Sequence, residues 1–277
     1  MKLPQTLIEH FNLGRCIPWC GAGVSVASNL PTWGGLIDQF FSACEDAGMQ
    51  EENIREVKSL EAEEAVEVCR DFLGENEYRS FLERVLGAGA AAPNMLHEKI
   101  VKLPVPAILT TNYDRLLETA IAKRTGGIPR VLTADDTQSL WKAIAKEEFF
   151  LLKVNGDIAR PNTVVLTSRD YTRHVFGNPT FMAVVQRIIL SYSILFIGSS
   201  LSDVYLRRIL EETTYMTGQT GMSHFALLPN VGPIRAKLLR DRYNINVIRY
   251  DLQNGDHMTG LCDVLDYLGK IAAGFSS

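Results

Sequence analysis

The chain has 277 residues, of which 46% are hydrophobic and 22% are charged, and its formal net charge is −4 at pH 7. This composition is typical of a globular protein that forms one large domain or a domain with a subdomain. Lysine and arginine are scattered, which argues against a nucleic-acid-binding surface, and no apolar run approaches the ~18 residues of a membrane-spanning helix. The amino-terminal segment has a helical period without the apolar run of a signal peptide, so we expect a cytoplasmic protein.

Eight short apolar runs predict buried β-strands, and most of them are nearly continuous rather than alternating. Such runs are typical of parallel strands that helices cover on both faces. The predicted strands lie at 16–20, 106–111, 130–133, 149–154, 163–166, 194–198, 224–228 and 246–250. Patterns of helical period include 113–123, 180–190, 203–215, 232–241 and 260–271. This alternation predicts a Rossmann-like, doubly wound α/β fold with a mainly parallel sheet, in a single domain of residues 1–277.

One region interrupts the alternation of strands and helices. Between residues 35 and 101 there is almost no strand pattern, and apolar side chains recur at helical spacing, as at Phe40, Phe41 and Cys44. We predict that residues 35–101 form a helical insertion, or cap, of the right size to cover a ligand cleft on the sheet.

The first polar loop reads GAGVS at residues 21–25 and follows the strand at 16–20. Glycines there allow a tight turn and let backbone N–H groups approach a pyrophosphate. Val26 occupies the place of the third glycine in a G-x-G-x-x-G fingerprint, so the fingerprint is incomplete. A tight turn with no ligand is the alternative interpretation.

The second polar loop, TTNYD at 110–114, follows the strand at 106–111. The amide of Asn112 beside the carboxylate of Asp114 is suited to holding ribose hydroxyls, and ligands bind at the carboxyl ends of strands in open α/β sheets. The alternative is that Asn112 or Asp114 caps the helix that follows.

Two further polar loops end buried strands, NGD at 155–157 and GSSLSD at 198–203. A histidine at position 155 would be a candidate base because imidazole titrates near neutral pH, whereas the amide of Asn155 can only donate or accept hydrogen bonds. The loop at 198–203 opens a helix, which suits a phosphate or ribose contact. Asp203 is alternatively a carboxylate that the helix dipole favours.

Cysteines and histidines give no metal signal. The five cysteines are spread along the chain without a C-x-x-C pair, and Cys16 and Cys20 lie in an apolar run, so we expect buried thiols and no zinc. The five histidines share no spacing typical of metal ligands.

Together the motifs resemble the sirtuin-like family, in particular its prokaryotic anti-phage NAD-hydrolase branch, which includes Thoeris-type proteins. The matching stretches are GAGVS at 21–25, LPTW at 30–33, ILTTNYDRLLE at 108–118, KVNGD at 153–157 and GSSLSD at 198–203. They occur in the family's order and span nearly the whole chain. Two features depart from the family: the four-cysteine zinc module of deacylating sirtuins is missing, and Asn155 occupies the position of the usual histidine.

The resemblance implies a site for NAD. The loop at 21–25 would carry the phosphates, Asn112 and Asp114 would hold the ribose next to nicotinamide, and the loop at 198–203 would meet the far side of the dinucleotide. The implied NAD-binding residues are Gly21, Ala22, Gly23, Ser25, Trp33, Thr111, Asn112, Asp114, Gly198, Ser199, Ser200 and Asp203. For Trp33, core packing is the alternative. The implied catalytic residues are Asn112, Asp114 and Asn155, with no metal ligand.

The implied activity is hydrolysis of NAD+ with release of nicotinamide, in anti-phage defence. Because Asn155 cannot accept a proton, we expect weak or absent turnover with NAD binding retained. The alternative is a catalytically silent receptor or interaction module that binds NAD or ADP-ribose, and the missing zinc module disfavours a protein deacylase. The resemblance further implies a homo-oligomer, and a separate sensor, ATPase or Argonaute-like partner, without direct contact to nucleic acid or membrane.

Overall fold

The computed structural model of the chain describes residues 3–252, apart from 88 and 90, and residues 257–274. The strands in this part of the chain are β1 (Cys16–Cys20), β2 (Ala107–Thr110), β3 (Val131–Leu132), β4 (Phe150–Lys153), β5 (Ser193–Ile197), β6 (His224–Pro229) and β7 (Ile245–Tyr250). The α-helices are α1 (Gln5–Asn12), α2 (Trp33–Asp46), α3 (Glu51–Val57), α4 (Ala62–Leu86), α5 (Met95–Ile100), α6 (Leu116–Thr125), α7 (Thr137–Ala145), α8 (Ser168–Gly177), α9 (Pro179–Ser191), α10 (Val204–Met216), α11 (Pro233–Tyr243) and α12 (His257–Gly274).

The seven strands form one sheet in the order β3-β4-β2-β1-β5-β6-β7, and every neighbouring pair is parallel. The chain leaves β1 towards β2 on one side and later crosses to β5 on the other side. The strand order therefore reverses between β1 and β5, which is where open α/β sheets bind their ligands. The predicted doubly wound, Rossmann-like parallel sheet is confirmed.

The sheet is buried on both faces, which explains why its strands are nearly continuous apolar runs. In β5, Ile194 and Phe196 belong to the core under α7, α9, α10 and α11. Leu195 and Ile197 point the other way, into the core under α1, α5, α6 and α12. In β1, the free thiols of Cys16 and Cys20 lie in that second core, as predicted.

The predicted strand at 163–166 is wrong. Residues 161–163 form a single 3-10 turn, and residues 164–166 pair with no strand in the described part of the chain. Their apolar side chains are buried for another reason, because Val164 and Leu166 pack in the core of the cap. An apolar run shows that a segment is buried but not which element buries it.

Helices α2, α3 and α4 stand over the carboxyl ends of the strands and share their own hydrophobic core. Tyr113, in the loop after β2, belongs to that core as well. The core of the three helices therefore reaches the carboxyl ends of the strands. Helix α5 also lies within 35–101, but its Leu96 and Ile100 pack in the core between the sheet and α1, α6 and α12. We therefore propose that α2–α4 form the cap and that α5 is part of the sheet domain.

No helix in the described residues combines the length and the apolar character needed to cross a lipid bilayer.

Candidate functional site

The loops that follow β1, β2, β4 and β5 open into one cavity of about 1040 Å³, which α2 and α4 cover. This volume is at the upper end of the ~300–1,000 Å³ that small-molecule sites occupy, so the cavity has room for an extended ligand. All thirteen residues that the sequence singles out line it: Gly21, Ala22, Gly23, Ser25, Trp33, Thr111, Asn112, Asp114, Asn155, Gly198, Ser199, Ser200 and Asp203. The structure brings these residues together, and their individual roles stay predictions.

The loops after β1 and β5 are packed backbone against backbone. The N–H of Gly21 donates to the carbonyl of Ile197, and the N–H of Gly23 donates to the carbonyl of Gly198. A Cβ on Gly21 or on Gly23 would lie 2.7 or 2.8 Å from the carbonyl oxygen of Gly198. These glycines are thus required for contact between two loops, and their two N–H groups are not free to bind a pyrophosphate.

We predict that Gly198→Ala destabilises the protein by more than 2 kcal/mol. Gly198 has φ +63, and a Cβ there would lie 2.6 Å from the backbone nitrogen of Val24. The left-handed conformation alone costs alanine about 1–2 kcal/mol, and backbone atoms cannot move aside as a side chain can. Denaturant unfolding measures the loss.

Gly126→Ala is the matched control for this substitution. Gly126 has φ +71, with no atom within 4 Å of the added Cβ, so alanine there carries the backbone strain without the close contact. Equal losses of unfolding free energy in the two variants would show that the contact between the loops is unimportant.

A hydrogen-bond network orients the polar side chains after β1 and β2. The side-chain amide of Asn112 donates to the carbonyl of Gly21 and to Ser25 Oγ, each at 3.2 Å. Ser25 Oγ donates to Asp114 Oδ2 at 2.9 Å, and the N–H of Leu116 donates to Asp114 Oδ1 at 2.9 Å. Asp114 thus accepts the first N–H of α6, although the N-cap residue of that helix is Arg115, and it also lines the cavity.

His97, on α5, extends this network through Ser25. It was not identified from the sequence. It is only 1% exposed, and its Nδ1 accepts the N–H of Asn94, so the proton of the neutral ring is on Nε2. Nε2 lies 3.4 Å from Ser25 Oγ. Burial lowers the pKa of His97 to about 4, against the opposing charge of Asp114, and the ring is therefore neutral at cellular pH. The one sequence signal for this residue is the N-x-x-H spacing of the capping box that begins α5.

Asn155 belongs to a second polar cluster, on the loop after β4. Its side-chain amide donates to Asp203 Oδ2 at 3.3 Å and lies 3.4 Å from the hydroxyl of Tyr171, which also donates to Asp203 Oδ2 at 3.4 Å. Asp203 Oδ1 accepts the N–H of Leu206 at 2.9 Å and caps α10. Asp203 therefore has one oxygen in a helix cap and the other in the cluster.

Tyr171 was also missed by the sequence analysis, because no motif surrounds it and α8 carries it to the cavity. Burial, followed by the charge of Asp203, raises the pKa of Tyr171 well above its usual value, so its hydroxyl keeps its proton and acts as a donor. The Tyr171 ring stacks on Tyr205 with centroids 4.5 Å apart, which fixes the position of that hydroxyl.

Lys153 lies beneath both clusters, fully buried at the end of β4. Its Nζ donates to the carbonyls of Tyr113 and Asp114 at 3.0 and 2.6 Å, and to Glu118 Oε1 and Asp157 Oδ1 at 2.8 and 2.9 Å. Burial raises the pKa of Glu118 despite the adjacent ammonium. Lys153 therefore holds the loop after β2 against the loop after β4, although it does not line the cavity itself.

Charged residues outside the motifs also line the cavity. Glu61 and Glu63 reach it from the cap, and Arg207 and Arg235 reach it from α10 and α11. Burial, followed by the charge of Asp203, raises the pKa of Glu63. Among the described residues, no three His, Cys, Asp or Glu side chains form a metal-binding group, and the expected absence of zinc stays a prediction.

Comparison with known proteins places this site in a family context. The family model described as a SIR2-like domain matches residues 106–248. NAD(+) hydrolase ThsA of Cytobacillus dafuensis is 27% identical over 235 residues, which are 84% of this chain and 45% of that protein. Defense-associated sirtuin 2 of Bacillus subtilis is 27% identical over 238 residues, 85% of this chain and 23% of that protein. NAD(+) hydrolase ThsA of Enterococcus faecium is 22% identical over 268 residues, 91% of this chain and 53% of that protein. The chain thus spans about half or less of the length of these relatives.

Proposed function

The chain belongs to the family of SIR2-like domains, and on that premise we propose that its cavity binds NAD+ and hydrolyses the bond between nicotinamide and ribose. The observation that carries the proposal is the convergence of four polar strand tips on one large cavity at the point where the strand order reverses. Two relatives from different organisms are NAD(+) hydrolases by name, which supports the choice of ligand and reaction.

Asn112 is the residue we propose for positioning the ribose. Its amide nitrogen already donates to Gly21 and Ser25, so the side chain presents an acceptor, the amide oxygen, to the ligand. A ribose hydroxyl is a matching donor. Asp114, with both oxygens engaged by the protein, acts on the developing cationic sugar through its charge.

Asn155 sets the expected rate of the reaction. Breaking the bond to nicotinamide leaves a sugar with oxocarbenium character, which water must attack while losing a proton. The amide of Asn155 cannot take that proton, and general-base assistance is worth ~100- to 10,000-fold. We therefore propose a slow hydrolase that retains NAD binding, in which a weaker base than histidine must accept the proton.

The biological role that we propose is anti-phage defence by consumption of NAD, in line with the name of the Bacillus subtilis relative, a defense-associated sirtuin. A homo-oligomer and a separate sensor, ATPase or Argonaute-like partner remain part of that proposal.

The test is Asn112→Ala, measured by calorimetry with NAD and by mass spectrometry for nicotinamide. We expect the variant to lose about tenfold in NAD affinity or turnover, because one ligand hydrogen bond is worth ~0.5–1.5 kcal/mol and the position of Ser25 loosens as well. Asn76→Ala, an exposed change in α4, is the control and should leave both measurements unchanged. A wild-type protein that neither binds NAD nor releases nicotinamide would refute the proposed function.

A catalytically silent receptor for NAD or ADP-ribose is the second candidate, and the presence of an amide at position 155 favours it. Tight NAD binding without any release of nicotinamide would establish the receptor. Release of acyl groups from an acyl-lysine peptide would instead establish the deacylase that the missing zinc module disfavours.

A further inference from the structure

Hydrolysis at this site needs a proton acceptor, and we infer that Asp203 Oδ2 is that acceptor, with Asn155 and Tyr171 as the residues that position it. The inference rests on the proposed function. It assigns the group that accepts the proton in a chain whose position 155 carries an amide.

The two oxygens of Asp203 are in different environments. Oδ1 accepts the N–H of Leu206 at 2.9 Å and anchors the side chain to the start of α10. Within the described part of the chain, Oδ2 accepts from two side chains of the second cluster, Asn155 Nδ2 at 3.3 Å and the Tyr171 hydroxyl at 3.4 Å. Both contacts are longer than the 2.5–3.0 Å typical of strong hydrogen bonds to a carboxylate, so Oδ2 keeps capacity to accept another proton.

Asn155 is better suited to positioning this carboxylate than to replacing it. Its amide points a donor at Oδ2, and its own backbone carbonyl is held by the N–H of Val165 at 2.9 Å. Tyr171 is fixed on the opposite side by stacking on Tyr205. Two positioned donors therefore fix the direction of the Asp203 carboxylate at the cavity wall.

Other ionisable groups also line the cavity, including Glu61 and His257, but Asp203 is the carboxylate that accepts from Asn155. Tyr171 keeps its own proton because burial and Asp203 raise its pKa. His97 is separated from the cavity by Ser25, and each oxygen of Asp114 accepts a hydrogen bond at 2.9 Å, shorter than either contact to Asp203 Oδ2. The Glu63 carboxylate accepts a hydrogen bond from its own backbone N–H, whereas Asp203 Oδ2 accepts from Asn155 and Tyr171.

The step balances without a co-reactant. The oxygen of a water molecule bonds to C1′ of the ribose while the bond from C1′ to the nicotinamide nitrogen breaks, and that electron pair makes the leaving nicotinamide neutral. The water proton passes to Asp203 Oδ2 and then to solvent, so NAD+ and water give ADP-ribose, nicotinamide and a proton. Carboxylates activate water in the same way at other glycosidic bonds.

Asp203→Asn tests the assignment because asparagine keeps an oxygen to cap α10 but cannot take a proton. We expect NAD affinity within a few-fold of the wild type and nicotinamide release lowered ~100- to 10,000-fold. Asp241→Asn is the matched control, since it neutralises an exposed carboxylate on α11 outside the cavity and should change neither measurement. Thermal unfolding checks that both variants are folded.

Sodium azide separates proton transfer from mere charge stabilisation. Azide attacks C1′ without a proton to lose, so it should restore nicotinamide release in Asp203→Asn, with an azido sugar as product, while barely affecting the wild type. Wild-type turnover in Asp203→Asn, or a loss that azide does not rescue, overturns the inference and leaves the proposed function intact. NAD binding without turnover in the wild type overturns the inference and favours the receptor, and absence of NAD binding refutes the proposed function itself.

Discussion

Replacing Asn155 with histidine is expected to raise NAD turnover by roughly 100-fold, because imidazole is a stronger base than a carboxylate and can take over the proton that we assign to Asp203 in the wild type. The imidazole would occupy the place of an amide that lies 3.3 Å from Asp203 Oδ2 and 3.4 Å from the Tyr171 hydroxyl. A carboxylate at that distance orients the ring and strengthens it as a base. Nicotinamide release under saturating NAD measures the gain.

The gain should depend on pH in a defined direction. Asp203 favours the charged imidazole, so the pKa of a histidine at this position is expected above its usual ~6.5. Only the neutral ring accepts a proton, and the added rate should therefore appear as pH rises through that pKa and disappear below it.

Asn155→Gln is the control for the size of the side chain, because glutamine is about as large as histidine but has no proton equilibrium near neutral pH. Its turnover should not exceed that of the wild type. If histidine and glutamine behave alike, position 155 is not where the proton is transferred, and the family histidine has no functional counterpart in this cavity.

Lys153→Met is expected to destabilise the protein by about 3–5 kcal/mol, or to prevent folding. The ammonium is fully buried and has two carboxylate and two carbonyl partners. Methionine fills the space but leaves Glu118 and Asp157 without their cation, and an unpaired buried charge carries the larger part of that cost. Denaturant unfolding, monitored by circular dichroism, measures the loss.

Lys123→Met is the matched control, since Lys123 pairs with Glu98 on the surface at 3.0 Å with both side chains exposed. Exposed pairs contribute ~0–1 kcal/mol, so this variant should remain close to the wild type. Similar losses in the two variants would show that the buried position of Lys153 adds nothing to the pairing.

The sheet could be predicted from the sequence because its strands are buried on both faces. β1 was predicted at its observed bounds, and β5 was predicted to within one residue at each end. β3 is one of the two edge strands and pairs over Val131 and Leu132, so the four residues predicted for it were too many. Residues 163–166 were wrongly predicted as a strand because an apolar run indicates only that a segment is buried. Here the cap buries the segment, and the sheet does not.

The sequence identified the site residues that lie in loops directly after strands, and it missed those that helices bring to the site. Parallel strands place their carboxyl ends at one edge, and so four loops far apart in sequence had to meet there. His97 and Tyr171 lie on α5 and α8, and the local sequence of a helix does not indicate where that helix packs in the fold. The role of the glycines was also hidden, since the partner backbone that they contact comes from 175 or more positions later in the chain.

The packing of Gly21 and Gly23 against Gly198 has a consequence for how this sequence can evolve. A side chain on any one of the three meets main-chain atoms of the opposite loop, and main-chain atoms are common to every amino acid. No compensating substitution in the facing loop can therefore make room. Drift at these positions is blocked even in a lineage that has lost its activity, as long as the fold is retained, and their presence in a homologue marks an intact scaffold rather than a working enzyme.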